Sequence, residues 1–352
     1  MRVVVTGATG NVGSGVLRAL VDDPAVDEIV GVARRTPALA VPKVTWVSAD
    51  VSTDDLGFVD GADAVIHLAW LIQPQRDEDL LRRVNVDGTQ RVLDAVVRHG
   101  VGSLVYASSV GTYSPGPKDT PVDESWPNQG IPSSLYSRQK ADVERMLLTA
   151  ARSSTAPRIV RMRTSLVFSE RAASEIAGLF LGPLVPISVI GRRGLPIVPR
   201  HPRLVFQATH TDDIGTAYRA ALHADVDGPV NIAAPPVVDV AALAESLLAK
   251  QLAMPEWLLR HGAALTYALR LQRTSRGWID LALGVPTMDT QLATERLGWS
   301  AQRTATDALA DLLSGFASRA GSETAPLAPA GRGRTIPFVP PSTSTSDREE
   351  AT

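Results

Sequence analysis

The chain has 352 residues, 44% of them hydrophobic and 20% charged. This balance excludes a wholly disordered or fibrous chain and predicts roughly two domains, or one large α/β domain with an appendage. Thirty-five basic against 37 acidic residues leave a net charge of −2, so the chain as a whole offers no field for nucleic acid or an acidic membrane; the absence of cysteine excludes disulfides, cysteine-ligated metal sites and thiol catalysis.

In chain order, a β-branched run at residues 2–5 leads through Thr6-Gly7-Ala8-Thr9-Gly10-Asn11-Val12-Gly13 into an amphipathic stretch ending near Val21, a pattern that predicts strand, glycine turn and helix. Apolar runs at Ile29–Ala33, Val44–Val47, Ala64–Leu68, Leu104–Ala107 and Arg158–Met162 read as further strands. Between them, a helix is predicted from Glu78 to His99, closed by Gly100 in a left-handed cap, and another over Leu135–Ala151. Short apolar strands alternating with helices predict βαβ units and a doubly wound parallel sheet of Rossmann type. Past residue 165 the expectations are a helix over Glu170–Leu181, a strand over Leu204–Thr209, a helix over Asp212–His223, a strand over Val230–Ala233, and mostly helix to Ser318.

The expected organisation is a core over 1–165, to which about 204–233 return. A smaller, mainly helical substrate lobe is expected over 166–318, and a disordered Pro/Ser/Thr-rich tail over 319–352. No apolar run reaches membrane-spanning length and the N-terminus lacks a signal-peptide pattern, so the expectation is a cytoplasmic protein without a membrane partner.

Four constellations carry chemistry. Gly7, Gly10 and Gly13 stand where a strand enters a helix, so backbone N–H groups and the helix dipole can receive a pyrophosphate. The second strand ends in Arg34-Arg35, with no carboxylate to take a ribose 2′-hydroxyl; two guanidiniums there favour the 2′-phosphate of NADP over NAD. Asp50, after the third strand, either accepts from an adenine amino group or caps the following segment. Tyr136 and Lys140 lie four apart on one helix face, where the ammonium is expected to lower the phenol pKa for acid–base work. Ser109, at the carboxyl end of the fifth strand, can fix a substrate oxygen beside Tyr136, Ser108 being the weaker candidate. The six histidines show no metal-ligand spacing, so no metal is expected.

Together these features resemble the extended branch of the short-chain dehydrogenase/reductase superfamily, the NAD(P)-dependent epimerase/dehydratase family, over about residues 1–318. Further matches are His67-Leu68-Ala69, Asn85-Val86-Asp87-Gly88-Thr89, Arg163–Phe168 and His210-Thr211-Asp212-Asp213. The resemblance implies a Ser109–Tyr136–Lys140 triad and hydride transfer at a hydroxyl or carbonyl carbon. It places the dinucleotide on Gly7, Thr9, Gly10, Asn11, Val12, Gly13, Arg34, Arg35, Asp50, Val51, Leu68, Ala69, Asn85, Tyr136 and Lys140. It also implies a small-molecule substrate such as a sugar derivative, and a homodimer through helices 78–99 and 135–151.

Two departures matter. Val110-Gly111 follow Ser109 where 4,6-dehydratases carry Asp-Glu, which argues against that elimination. Leu166 stands where the family often has an Asn for a sugar nucleotide, and Arg192, Arg193, Arg200 and Arg203 read as a solvated basic loop before an anion site. Trp70, Leu71, Ile72 and Pro74 line the substrate pocket or pack as core, and Trp257, Trp278 and Trp299 are expected in the lobe's core. Net oxidoreduction and epimerisation are left open. The rival is a non-catalytic NADP-binding regulator on the same fold, against which the presence of both Tyr136 and Lys140 weighs.

Overall fold

The computed structural model describes residues 1–72, 77–180, 187–268 and 275–328. Seven parallel strands form the main sheet: β1 (Arg2–Thr6), β2 (Glu28–Ala33), β3 (Val44–Ser48), β4 (Ala64–His67), β5 (Ser103–Ser109), β6 (Arg158–Thr164) and, from late in the chain, Gly228–Ile232. Their order is β3-β2-β1-β4-β5-β6 followed by the late strand, so the chain reverses direction across the sheet beside β1. That reversal places the crevice for a ligand at the carboxyl ends of β1 and β4. Val3, Val4, Val5, Val65, Ile66, Leu104 and Val105 are fully buried, as expected of strands covered on both faces.

Helix α1 (Asn11–Val21) covers one face. The predicted helix over 78–99 is three pieces, α2 (Glu78–Arg82), a π-helical turn at Arg83–Asp87 and α3 (Gly88–Arg98), with Gly100 at φ +65° after it. The π turn carries Asn85, and such bulges are frequent at functional sites. Helix α4 (Leu135–Ala150) is capped by Ser134, whose side chain accepts from Ser137 N–H.

The second lobe is more mixed than its sequence predicts. It contains β7 (Leu166–Phe168), α5 (Ala173–Phe180), α6 (Ile187–Arg193), β8 (Ile197–Arg200) and β9 (Phe206–His210). Helix α7 (Thr211–His223) and β10 (Gly228–Ile232, the late strand) return to the main sheet. Then follow β11 (Ala234–Val238), α8 (Val240–Ser246), β12 (Lys250–Ala253), α9 (Glu256–Ala268), α10 (Arg276–Gly284), α11 (Gln291–Leu297) and α12 (Ala305–Ser318). Strand β9 does not join the main sheet with β10. It pairs in parallel with β7 and antiparallel with β11. A second pair, β8 with β12, is also parallel. These strands are short and two-residue-periodic at best, and their pairing is set by partners distant in sequence.

Close approach fixes how the pieces meet. Gly15 of α1 and Gly215 of α7 face each other so tightly that a Cβ on either would strike the other helix's backbone. The lobe has its own core, with Phe168, Val198, Ala208, Leu309, Leu312 and Phe316 buried together. Leu327 is fully buried beside a single turn at Ala325–Leu327, so order extends past 319 into the segment expected to be disordered. The rest of that expectation, 329–352, falls outside the described residues, as do Pro74 and Leu181.

Candidate active site

The glycine turn is shaped by its contacts. Gly7 has φ +71°, and a Cβ there would lie 2.7 Å from Ala69 N and 2.8 Å from Leu68 C. Only glycine permits that conformation and that proximity at once. Gly13 closes the turn from the other side, its Cα against the Gly7 carbonyl. Gly10 differs: a Cβ there meets nothing nearer than Gly7 O at 3.5 Å, so the space over it is open. Gly10 is also the N-cap of α1 and supplies no side-chain cap, leaving the first-turn N–H groups of Asn11, Val12 and Gly13 directed at that space. An open cradle over an uncapped helix N-terminus fits the pyrophosphate of a dinucleotide.

Around it, the predicted cofactor residues divide. Arg34 and Arg35 are exposed at the end of β2, and among the described residues neither side chain meets a carboxylate. Thr9 is buried beneath the turn and Val51 in the core below β2 and β4. Asp50 turns to local capping: one of its oxygens accepts from Ser52 N at 2.9 Å and from Ser52 Oγ at 2.6 Å. The Asn11 side chain is spent elsewhere. Its amide donates to Val167 O at 2.9 Å, and its oxygen accepts from Thr211 Oγ1 at 2.6 Å and Ser169 Oγ at 3.2 Å. Only its backbone N–H faces the cradle. Asn85 likewise works within the protein, holding both polar groups of Leu71 and donating to Gln139 Oε1 at 2.9 Å. It fastens the loop after β4 to the helix that carries Tyr136 and Lys140.

Ser109, Tyr136 and Lys140 are brought together where β5 ends against α4. The Ser109 hydroxyl accepts from Gly111 N at 3.0 Å, and a Cβ at Gly111 would touch both that hydroxyl and the Tyr136 ring. Burial raises the Tyr136 pKa above that of free tyrosine, and the nearby Ser109 hydroxyl only partly offsets this. The expectation that Lys140 lowers it is therefore corrected. Lys140 Nζ donates to Ala107 O at 2.6 Å and Tyr106 Oη at 3.3 Å, and sits 3.5 Å from the centre of the Trp70 ring but 6.0 Å from that of Tyr136. Burial pushes its own pKa well below the lysine range, against the pull of Glu144.

Several residues here were not singled out from sequence. Trp278, expected in the core, reaches in from α10 and stacks on Tyr136 with ring centres 5.1 Å apart, while Trp70 meets Tyr136 edge-on at 6.1 Å. Trp257 is not core either, being largely exposed, whereas Trp299 is buried as expected. Gly111 leaves room for the phenol: a Cβ there would lie 2.8 Å from Tyr136 Cε1. Glu144, one turn beyond Lys140, is wholly buried and takes hydrogen bonds from Ser108 Oγ, Asn128, Arg161 and both Nε and Nη2 of Arg163. Burial alone would raise its carboxyl pKa; Arg163 and Arg161 overcome this and hold it below the usual value. Ser108 thus serves this network.

His67 bridges Thr6 Oγ1 at 2.6 Å and Thr89 Oγ1 at 3.0 Å, and burial, with Lys140 nearby, lowers its pKa to about 3, so the ring is neutral. His210 caps α7, its Nδ1 accepting from Asp212 N. Arg203 is bound to the carbonyls of Leu283 and Gly116, while Arg192, Arg193 and Arg200 are exposed. Among the described residues no cluster of three or more potential metal ligands occurs.

Residues 3–233 match the model of the NAD dependent epimerase/dehydratase family. An uncharacterized protein of Mycobacterium tuberculosis is 26% identical over 325 residues, which cover 91% of this chain and 31% of that protein. The sterol-4-alpha-carboxylate 3-dehydrogenase (decarboxylating) of Saccharomyces cerevisiae is 34% identical over 118 residues, 34% of each chain. The chain therefore spans about a third of the length of these curated relatives. Among solved structures, MoeE5 in complex with UDP-glucuronic acid and NAD superposes with a TM-score of 0.65 at 23% identity, covering 90% of this chain and 98% of that one, a likeness of fold.

Proposed function

We propose, from the premise that the chain belongs to the NAD dependent epimerase/dehydratase family, that it is an NAD(P)-dependent oxidoreductase acting on a hydroxyl or carbonyl carbon of a small molecule, with Ser109, Tyr136 and Lys140 as its catalytic group. The observation that carries this reading is the meeting of Ser109 and Tyr136 around Gly111, beside Lys140 and with an open, uncapped helix N-terminus in the same fold. Backbone N–H groups of α1 would hold the pyrophosphate, and Arg34 and Arg35 would take a 2′-phosphate, so NADP is the preferred form. The bound dinucleotide supplies a hydride acceptor or donor.

The chain's own residues do the rest. Ser109 holds the substrate oxygen by hydrogen bond, and Tyr136 gives or takes the proton on that oxygen. Its raised pKa keeps the phenol protonated at neutral pH, the form that donates to a carbonyl oxygen as it is reduced. Lys140, anchored on Ala107 O, stands where it can reach the cofactor ribose, as the resemblance implies. The substrate pocket is walled by Trp70 and Trp278. Relatives named for sugar and for sterol substrates both occur, and the substrate is proposed only as a secondary alcohol or ketone of either class.

Calorimetric titration of NADP⁺ and NAD⁺ tests the cofactor reading. NADP⁺ should bind at least about tenfold more tightly, or about 1.4 kcal/mol, and Arg34→Ser with Arg35→Ser should remove that preference without weakening NAD⁺. NADPH oxidation over a panel of sugar and steroid ketones tests the chemistry. Tyr136→Phe should abolish turnover and leave cofactor affinity within about twofold, since only a hydroxyl is lost. Undiminished turnover in that variant, or no binding of either dinucleotide, defeats the proposal.

A further inference from the structure

One face of the second lobe is built unlike the rest of the surface. Strands β8 and β12 pair in register, Lys250 with Ile197 and Ala253 with Arg200, and α9 begins three residues after β12. Along this ribbon Leu248 is 76% exposed, Trp257 61%, Leu252 51% and Ile197 50%. Isolated exposed apolar side chains are ordinary; four large ones on adjoining segments are not.

Leu248 is the more unusual because its backbone is left-handed, at φ +52°. A bulky side chain is disfavoured in that conformation, where Asn, Asp or Gly would sit more easily, and a leucine is disfavoured in water. The left-handed turn itself belongs to the end of α8, where Leu248 N–H reaches Glu245 O at 3.1 Å and Ala249 N–H reaches Ala244 O at 2.8 Å; what stands out is that a leucine, exposed to water, fills that position.

The charges on the same face have one sign. Arg192 and Arg193 end α6 just before Gly194, whose Cα packs against Leu247 and Leu248. Lys250, paired with Ile197, shares a strand face with Ile197 and Leu252. Arg192, Arg193 and Lys250 are all exposed, and among the described residues none of the three forms an ion pair. Of the nearby carboxylates, Glu256 is paired with Arg260 at 2.6 Å, an arginine it shares with Asp280, and Glu245 is exposed. The patch is thus cationic on a chain whose net charge is −2. The whole-chain charge, which argues against an acidic membrane, does not describe this face.

We propose that the β8–β12 ribbon and the start of α9 form a docking surface for an anionic lipid bilayer, with Leu248, Leu252 and Trp257 entering the interface and Arg192, Arg193 and Lys250 meeting lipid phosphates. Exposed leucine and tryptophan ringed by arginine and lysine is the composition that binds such interfaces, the apolar groups by burial and the cations by attraction to the negative surface. Arg260, on α9 behind Trp257, is ion-paired at 2.7 Å to Asp280 of α10, the helix that carries Trp278 onto Tyr136. Docking would therefore hold the lobe against the bilayer next to the candidate active site.

The test is flotation of the full chain with vesicles of equal parts phosphatidylglycerol and phosphatidylcholine, against phosphatidylcholine alone. Binding to the anionic vesicles, at least about fivefold weaker on the neutral ones and weakened again by about 0.5 M salt, is expected. Leu248→Asn is the decisive variant, since asparagine tolerates the left-handed conformation. It should keep or raise the denaturation midpoint yet bind anionic vesicles about tenfold less well, the loss of one buried leucine. Arg192→Gln with Arg193→Gln should weaken binding to anionic vesicles only. Failure of the wild-type chain to float, or flotation indifferent to Leu248→Asn, overturns the proposal. So does a Leu248-dependent dimer in sedimentation without lipid binding, which would make the face a protein interface.

Discussion

Two substitutions of the same chemistry, Gly7→Ala and Gly10→Ala, should fail in opposite ways. At Gly7 the added methyl must adopt φ +71°, costing about 1–2 kcal/mol for an L-residue. It must also displace backbone atoms of Leu68 and Ala69 that stand 2.7–2.9 Å from the new carbon. Those atoms are backbone just after β4 and cannot swing aside as a side chain would, so a further 1–3 kcal/mol or so of overpacking is expected. The total, about 2–5 kcal/mol, is a large part of the roughly 5–15 kcal/mol that keeps a domain folded. At Gly10 the backbone is extended, φ −78°, and the methyl meets only Gly7 O at ordinary distance. The stability loss there should be about 1 kcal/mol or less, the preference of an N-cap for glycine over alanine. Yet that methyl enters the cradle over the helix N-terminus and should weaken NADP⁺ at least about tenfold, or about 1.4 kcal/mol. Urea denaturation and calorimetric titration of both variants read the two effects separately. A Gly10→Ala protein that binds the dinucleotide normally, or one as unstable as Gly7→Ala, would refute the placement of the pyrophosphate.

Gly111→Ala should push the Tyr136 ring from a 2.8 Å contact toward ordinary separation; a shift approaching 1 Å at a reacting group costs on the order of a hundredfold in turnover, with NADP⁺ affinity held, and wild-type turnover would show that the phenol is not positioned from this side. His67, neutral in the folded chain with a pKa of about 3, protonates near 6.5 once unfolded, so its contribution to stability is complete above pH 6.5 and is lost as pH falls from there toward 3. Between about pH 6 and 5 the slope is about 1.4 kcal/mol per unit; His210 adds one of the same sign, so a flatter profile in His67→Gln than in wild type is the measurement, and equal slopes would contradict a neutral buried ring. If the chain dimerises through α3 and α4, where Val97 and Leu148 are exposed, Leu148→Glu should yield a monomer at micromolar concentration in sedimentation, and a wild-type monomer would end that expectation.

What the sequence disclosed was what is local in it. The strand–glycine–helix unit and the Tyr136–Lys140 pair are each written within a few residues, and both stand where that pattern places them. The second lobe was harder because its small sheets join β7 to β9 and β8 to β12 across 40 residues or more, and no short window records such pairing. Trp278 reads as a core residue on any hydrophobicity argument; only the seating of Gly277 against Ser133 and Ser134 brings α10 onto Tyr136. One signal was available and unused. Arg161 and Arg163 lie within an apolar strand, and arginines buried in a sheet require a carboxylate; Glu144, eight residues after Tyr136 on the same helix face, is that partner. Asp50 shows the opposite limit: a serine two positions on takes one of its oxygens, a local competition that sequence spacing does not rank.

The Asn11 amide joins the first turn of α1 to three points beyond the main sheet: Val167 on β7, Ser169, and Thr211 at the start of α7. The segment proposed to receive a pyrophosphate and the strand that opens the lobe are therefore tied together by that side chain. Ligands at the two places can feel each other through that link, and by thermodynamic linkage the effect is mutual: whatever a dinucleotide does to the affinity for substrate, substrate does equally to the affinity for dinucleotide. Asn11→Ala should weaken that coupling while the packing of α1 on α7 at Gly15 and Gly215 stays.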